Sequence, residues 1–146
     1  MEKDYDEIVE QLLGQPYWVI DLLPRQVPQE SGARFFAVEQ YYLKEPQHGE
    51  LCRRFADVLL KLNCYHDLHV SYDDAWVKNP EPAQLVSWLT DALRHGHLCV
   101  LVEGGDALIT ASGGNCHLTL YNPTEGLLQL VGQLATALGF FLWRPE

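Results

Sequence analysis

Cys64, His66, Asp67 and His69, followed by Asp73 and Asp74, form the densest group of reactive side chains in the sequence, and all are ligand types for zinc or a similar divalent ion. Residues 65–72 alternate as a half-buried strand does, which turns Asp67 and His69 to one side and Cys64 and His66 to the other. The group cannot close around one ion unaided. His95 and His97 could supply the missing ligands, and a metal-dependent or small-molecule enzyme centred on Asp67 and His69 could draw on His66, His95 or His117, which makes Asp67, His69, His95 and His117 the candidate metal ligands. Two features oppose that reading. The paired short spacings of structural zinc sites are absent, and His95 and His97 straddle a helix stop at Gly96, where a cation complements the negative end of the helix dipole. We therefore expect no metal and no cofactor.

A thiol nucleophile needs an imidazole within hydrogen-bonding distance, and Cys99 and His117 fall in one row of the sheet expected below. Thr110 lies between them, which sets the two side chains two strand spacings apart, ~9–10 Å instead of the ~3 Å that proton transfer needs. Glu103 and Asp106 face each other across Gly104 and Gly105, but a hairpin end lacks the burial that raises a carboxylate pKa for acid–base work. No nucleophile elbow, phosphate-binding loop or HExxH pattern occurs. No coherent catalytic set emerges.

The elements that must carry these residues are read from periodicity and punctuation. Residues 4–13 form a short helix stopped by Gly14, and Tyr17 to Leu23 a strand closed at Pro24 by a loop to about Gly32. Arg34 to Leu43 fits both periods, and its aromatics favour a strand. Residues 49–62 carry Leu51, Phe55, Val58, Leu59 and Leu62 on one helical stripe. Asn79 and Pro80 read as N-cap and first residue of a helix over 80–94, and Asn122 and Pro123 as the same pair for a helix over 123–138 that ends at Gly139. The tail 140–143 is too apolar to hang free and should dock as a short strand or a core plug.

Residues 98–121 are the clearest stretch: turn signals at 104–105 and 112–115 separate three β-type runs into a meander. In the expected register Cys99 opposes Thr110 and Leu101 opposes Leu108 across the first turn. Across the second, Ile109 opposes Leu118, Thr110 opposes His117, and Ala111 opposes Cys116. One face is then wholly apolar and should receive the helices, while the other is mixed and offers Thr110, His117, Thr119 and Tyr121 to a partner. The expected fold is α+β, an antiparallel sheet including a meander over about 98–121 with amphipathic helices at about 49–62, 80–94 and 123–138 on one face, in one domain spanning 1–146.

Composition bounds what such a chain does. A net charge of -10 repels phosphate backbones and anionic membranes, so neither nucleic acid nor membrane is an expected partner, while a basic protein partner or a homo-oligomer is permitted. Acids follow Met1 where a signal peptide needs a basic segment, no apolar run approaches the ~20 residues of a membrane span, and the four cysteines lack any CxxC spacing. A cytoplasmic protein is expected. The runs DLLPRQVP at 21–28, LLKLNCY at 59–65, LYNP at 120–123 and GFFLW at 139–143 resemble a group of small bacterial proteins of unknown function, a resemblance that implies no reaction, cofactor or partner. The leading expectation is a non-enzymatic protein-interaction or self-associating domain that uses the mixed sheet face and the aromatic first half. The enzyme centred on Asp67 and His69 is the rival, and an acidic neutraliser of a basic toxin or nuclease is a third reading.

Overall fold

The computed structural model describes residues 4–24, 32–103, 107–113 and 117–145. In chain order its elements are α1 (Tyr5–Leu12), β1 (Tyr17–Asp21), α2 (Gly32–Tyr42), α3 (Gln47–Asn63), β2 (Leu68–Tyr72), β3 (Ala75–Lys78), α4 (Pro82–His95), β4 (His97–Val102), β5 (Ala107–Ser112), β6 (His117–Tyr121), α5 (Glu125–Ala137) and β7 (Phe141–Trp143). The strands form one antiparallel sheet in the order β3-β2-β4-β5-β6-β1-β7, so the fold is α+β as expected. No helix among the described residues is long and apolar enough to cross a membrane.

The apolar face of the meander is the floor of the core. Leu98, Val100, Val102, Ala107, Ile109, Ala111, Leu118 and Leu120 are buried against Phe55, Leu59 and Leu62 of α3, Leu85 and Leu89 of α4 and Val131 of α5. Phe140 completes that core, its ring stacked on Phe55 at 4.1 Å between centroids. The chain reaches this position through Gly139, whose φ of +86° takes a left-handed turn disfavoured for side chains with a Cβ. Gly139 N–H donates to Thr136 and Phe140 N–H to Ala135, a paired C-terminal cap that aims residue 140 inward. The tail is thus both plug and strand: Phe140 fills the core and β7 pairs with β1.

Five expectations need correction. Residues 34–42 lie in helix α2, not a strand, and Leu43 follows it in a turn. Aromatic runs satisfy either period, and packing decides here: Tyr42 and Leu43 sit against the core while Phe36, Val38 and Tyr41 face out. Neither Asn79 nor Asn122 caps a helix. Both adopt left-handed φ (49° and 56°) before a proline, a position where Asn is tolerated and the right-handed helical region is disfavoured. The helices start later, α4 at Pro82 after Glu81 and α5 at Glu125 after Thr124, whose side chain accepts from Leu127 N–H at 3.1 Å.

The strand expected over 65–72 is shorter and belongs to a hairpin. Asp73 and Asp74, both at positive φ, form its two-residue turn and serve as turn residues instead of ligands. The β4–β5 register is the one expected, with Cys99 opposite Thr110 and Leu101 opposite Leu108. The β5–β6 register is offset by two residues, with Ile109 opposite Leu120 and Thr110 opposite Thr119. Because side chains alternate with period two, an even offset leaves every residue on its expected face. The turn at 104–106 and the expected partner Cys116 lie outside the described residues.

Candidate binding groove on the outer face of the sheet

The face away from the core is only partly covered. Helix α1 opens on Asp4, which accepts from Glu7 N–H, and lies across β2, β4 and β5. Tyr5 stacks on His69 at 4.9 Å, the Trp76 indole donates to Asp6 at 3.1 Å, and Leu12 packs with Cys99, Leu101 and Leu108. Beyond the end of α1, among the described residues, the outer face forms a groove.

There β1 and β6 pair Tyr17 with Tyr121, Val19 with Thr119 and Asp21 with His117, and all six side chains point outward on one surface. Leu13 after α1, Glu39 on α2, and Trp143 and Pro145 at the chain end wall the surface into a groove of about 500 Å³. No lysine or arginine lines it among the described residues. Trp143 is fixed by its indole N–H, which donates to the Leu23 carbonyl at 3.1 Å, and the Tyr17 and Tyr121 rings lie 5.4 Å apart.

Asp21 is the unusual group in this groove. It is only 8 % exposed, and its Oδ1 accepts from Leu23 N–H at 3.1 Å. Burial pushes its carboxyl pKa up to about 6, against the pull of the Leu23 and Leu22 amides, and the Glu39 carboxylate pushes the same way. His117 beside it is held below the ordinary imidazole pKa by burial, so near neutral pH it is an uncharged donor and acceptor. Burial also raises the Tyr121 pKa.

The mixed-face residues read from the sequence divide by position. His117, Thr119 and Tyr121 line the groove, and Thr110 sits one strand inward beside Thr119. Asp21, Glu39 and Trp143 were missed. Alternation along 17–21 puts Tyr17, Val19 and Asp21 on one face, but nothing local says that β6 and β7 flank that strand.

The four candidate metal ligands occupy three places. Asp67 and His69 are at the β2–β3 hairpin, where His69 Nε2 meets Glu103 at 2.9 Å and Lys78 lies 3.7 Å from Asp67 and 3.9 Å from Glu103. Asn79 donates to Asp67 at 3.0 Å, and this bond first, then Lys78, lowers the Asp67 pKa. A lysine already neutralises these carboxylates. His95 ends α4 with Asp91 at 3.7 Å, and His117 lies three strands from His69 and four residues farther along β6 than the residue in row with it, ~20 Å away. Among the described residues no three His, Cys, Asp or Glu side chains stand together as a metal site.

The imidazole beside Cys99 belongs to His97, two residues back on the same strand, with Sγ 3.2 Å from Nε2, while His97 Nδ1 meets Ser112 Oγ at 3.1 Å. The i, i+2 spacing on β4 was the available signal. The arrangement does not activate the sulfur. Burial, with Asp6 adding to it, pushes the Cys99 thiol up to about 11, so sulfur keeps its proton at neutral pH. Compared with known proteins, the chain matches no family model, no curated protein and no solved structure.

Proposed function

We propose that the protein is a non-enzymatic protein-interaction domain whose partner occupies the outer-face groove between β6, β1 and β7. One observation carries the reading: the groove holds a nearly buried carboxylate, Asp21, without a described lysine or arginine beside it. Buried charges within a fold are ordinarily paired, and a perturbed carboxyl in a cleft points to a ligand that supplies the missing group. The tyrosines and Trp143 around it are the residue types that dominate protein interfaces, and the acidic charge of the chain suits a basic partner. Neutralising a basic toxin or nuclease is one form of this activity.

The test is a photo-crosslinking residue placed at Thr119 in the groove, with a control at Gln84 on the exposed side of α4. Irradiation in cells is expected to give a discrete adduct from position 119 and none from 84. An adduct containing two copies of this chain identifies self-association as the interaction. Adducts from neither position, or equal adducts from both, overturn the proposal.

A further inference from the structure

Resting on that reading, we infer that the groove selects a cation, an arginine or lysine side chain projecting from a basic segment of the partner, seated between the carboxylates of Asp21 and Glu39 and the rings of Tyr17, Tyr121 and Trp143. Asp21 and Glu39 reach the groove from different elements, β1 and α2, and both line it. Two carboxylates on one small cavity repel each other, and a cation between them relieves both the repulsion and the lost hydration of Asp21.

Aromatic walls complete the match. A guanidinium or ammonium within ~6 Å of a tyrosine or tryptophan face is attracted by the ring quadrupole, more strongly where water is excluded. The same contact holds two of this chain's own cations, with Arg54 at 5.1 Å from the Phe140 ring centre and Arg144 at 5.0 Å from that of Trp18. About 500 Å³ accommodates one long basic side chain and part of its flanking backbone. Thr119 and His117 are uncharged hydrogen-bonding groups on the floor and place no positive charge against the guest.

Binding should also release protons. The titratable groups facing Asp21 are Glu39 from α2, His117 and Tyr121 from β6, and Tyr17 from its own strand. A cation seated beside Asp21 lowers its pKa, so near pH 6 the arriving cation displaces a proton from the carboxyl.

The probe is a capped peptide, Gly-Arg-Lys-Arg-Gly, titrated into the full chain by calorimetry and by ¹⁵N NMR, beside an analogue with citrulline and norleucine in place of arginine and lysine. The basic peptide is expected to shift the amides of residues 17–21 and 117–121, and the neutral analogue to bind at least about tenfold more weakly. Asp21→Asn should weaken the basic peptide by a similar factor and Glu39→Gln by a few-fold, whereas Glu50→Gln, an equal loss of charge on α3, should leave it unchanged. At pH 6 the binding heat should vary with buffer ionisation enthalpy in the sense of proton release, and Asp21→Asn should abolish that variation. Equal binding of the two peptides in the groove overturns cation selection and leaves the interaction reading standing. Shifts absent from the groove, or equal losses in Asp21→Asn and Glu50→Gln, also overturn the inference. The crosslink from position 119 decides the interaction reading independently.

Discussion

A carboxylate at the bottom of a groove makes the folded chain less stable near neutral pH than an amide of the same shape would. Asp21 has an ordinary pKa of 3.8 and about 6 when folded, a rise worth at most about 3 kcal/mol. Water in the open groove reduces that to about 1–2 kcal/mol. The sign follows from proton counting: a raised carboxyl pKa means that the folded state holds the proton more tightly. Its stabilising share is complete below pH 3.8 and is lost as the pH rises through about 6. Asp21→Asn keeps an oxygen for Leu23 N–H, so urea titrations should show equal stability below pH 3.8 and a variant about 1–2 kcal/mol more stable at pH 7.5. The depressed His117 pKa makes both proteins lose stability as pH falls below 6.5, and it cancels in the difference. A variant less stable at pH 7.5, or a gain independent of pH, would contradict the assignment. Among the described thiols, Cys64 is exposed while Cys52 and Cys99 are buried with raised pKa values. A brief iodoacetamide pulse on the native protein at pH 8 should therefore modify Cys64 before Cys52 and Cys99, as read by peptide mass spectrometry, and comparable labelling of Cys99 would refute its burial.

Between residue and fold, the informative errors fall where backbone sign decides the element. Asn79 and Asn122 each precede proline, a pair that serves a helix cap and a left-handed turn alike, and in both cases the turn wins. At Asn79 the turn is reinforced from several sides. Its Oδ1 accepts from Leu68 N–H at 2.9 Å and from Asn63 Nδ2 at 2.9 Å, and its own amide donates to Asp67. The residue thus joins the end of α3, the start of β2 and the end of β3, contacts that no local pattern announces. Asn79→Ala removes these bonds and leaves a Cβ at a φ of 49° without the polar side chain that offsets its strain, so thermal or urea unfolding should show a loss of about 2 kcal/mol. Asn79→Gly removes the bonds but tolerates the φ, and its loss should be smaller by about 1 kcal/mol. Equal losses would mean that hydrogen bonding alone fixes this corner. The meander was legible for the opposite reason. Alternation and turn residues set its faces locally, and the two-residue offset at β5–β6 changed partners without changing faces.

Across the whole molecule, the core and the groove share one support at the end of the chain. Phe140 stacks on Phe55 from 85 positions away, and immediately after it β7 carries Leu142 against the core and Trp143 into the groove wall. The apolar character of 140–143 announced a docked tail, but neither its partner β1 nor its place beside Asp21 follows from the sequence, because both depend on where α5 delivers the chain. Phe55 is fully buried, and Phe55→Ala should cost about 3–5 kcal/mol, with Phe140→Ala in the same range. The stacked pair should show a coupling of about 0.5–1.5 kcal/mol in a double-mutant cycle beyond its area burial. The two single variants should nevertheless differ in reach. Losing Phe55 thins the centre of α3, whereas losing Phe140 also loosens β7, so hydrogen exchange at residues 141–143 should accelerate more in Phe140→Ala than in Phe55→Ala at matched global stability. Binding of the basic peptide should follow the same order, because Trp143 is the groove wall held by that strand. Equal exchange and equal affinity in the two variants would show that β1 alone holds β7, and that the plug stabilises the core without positioning the groove.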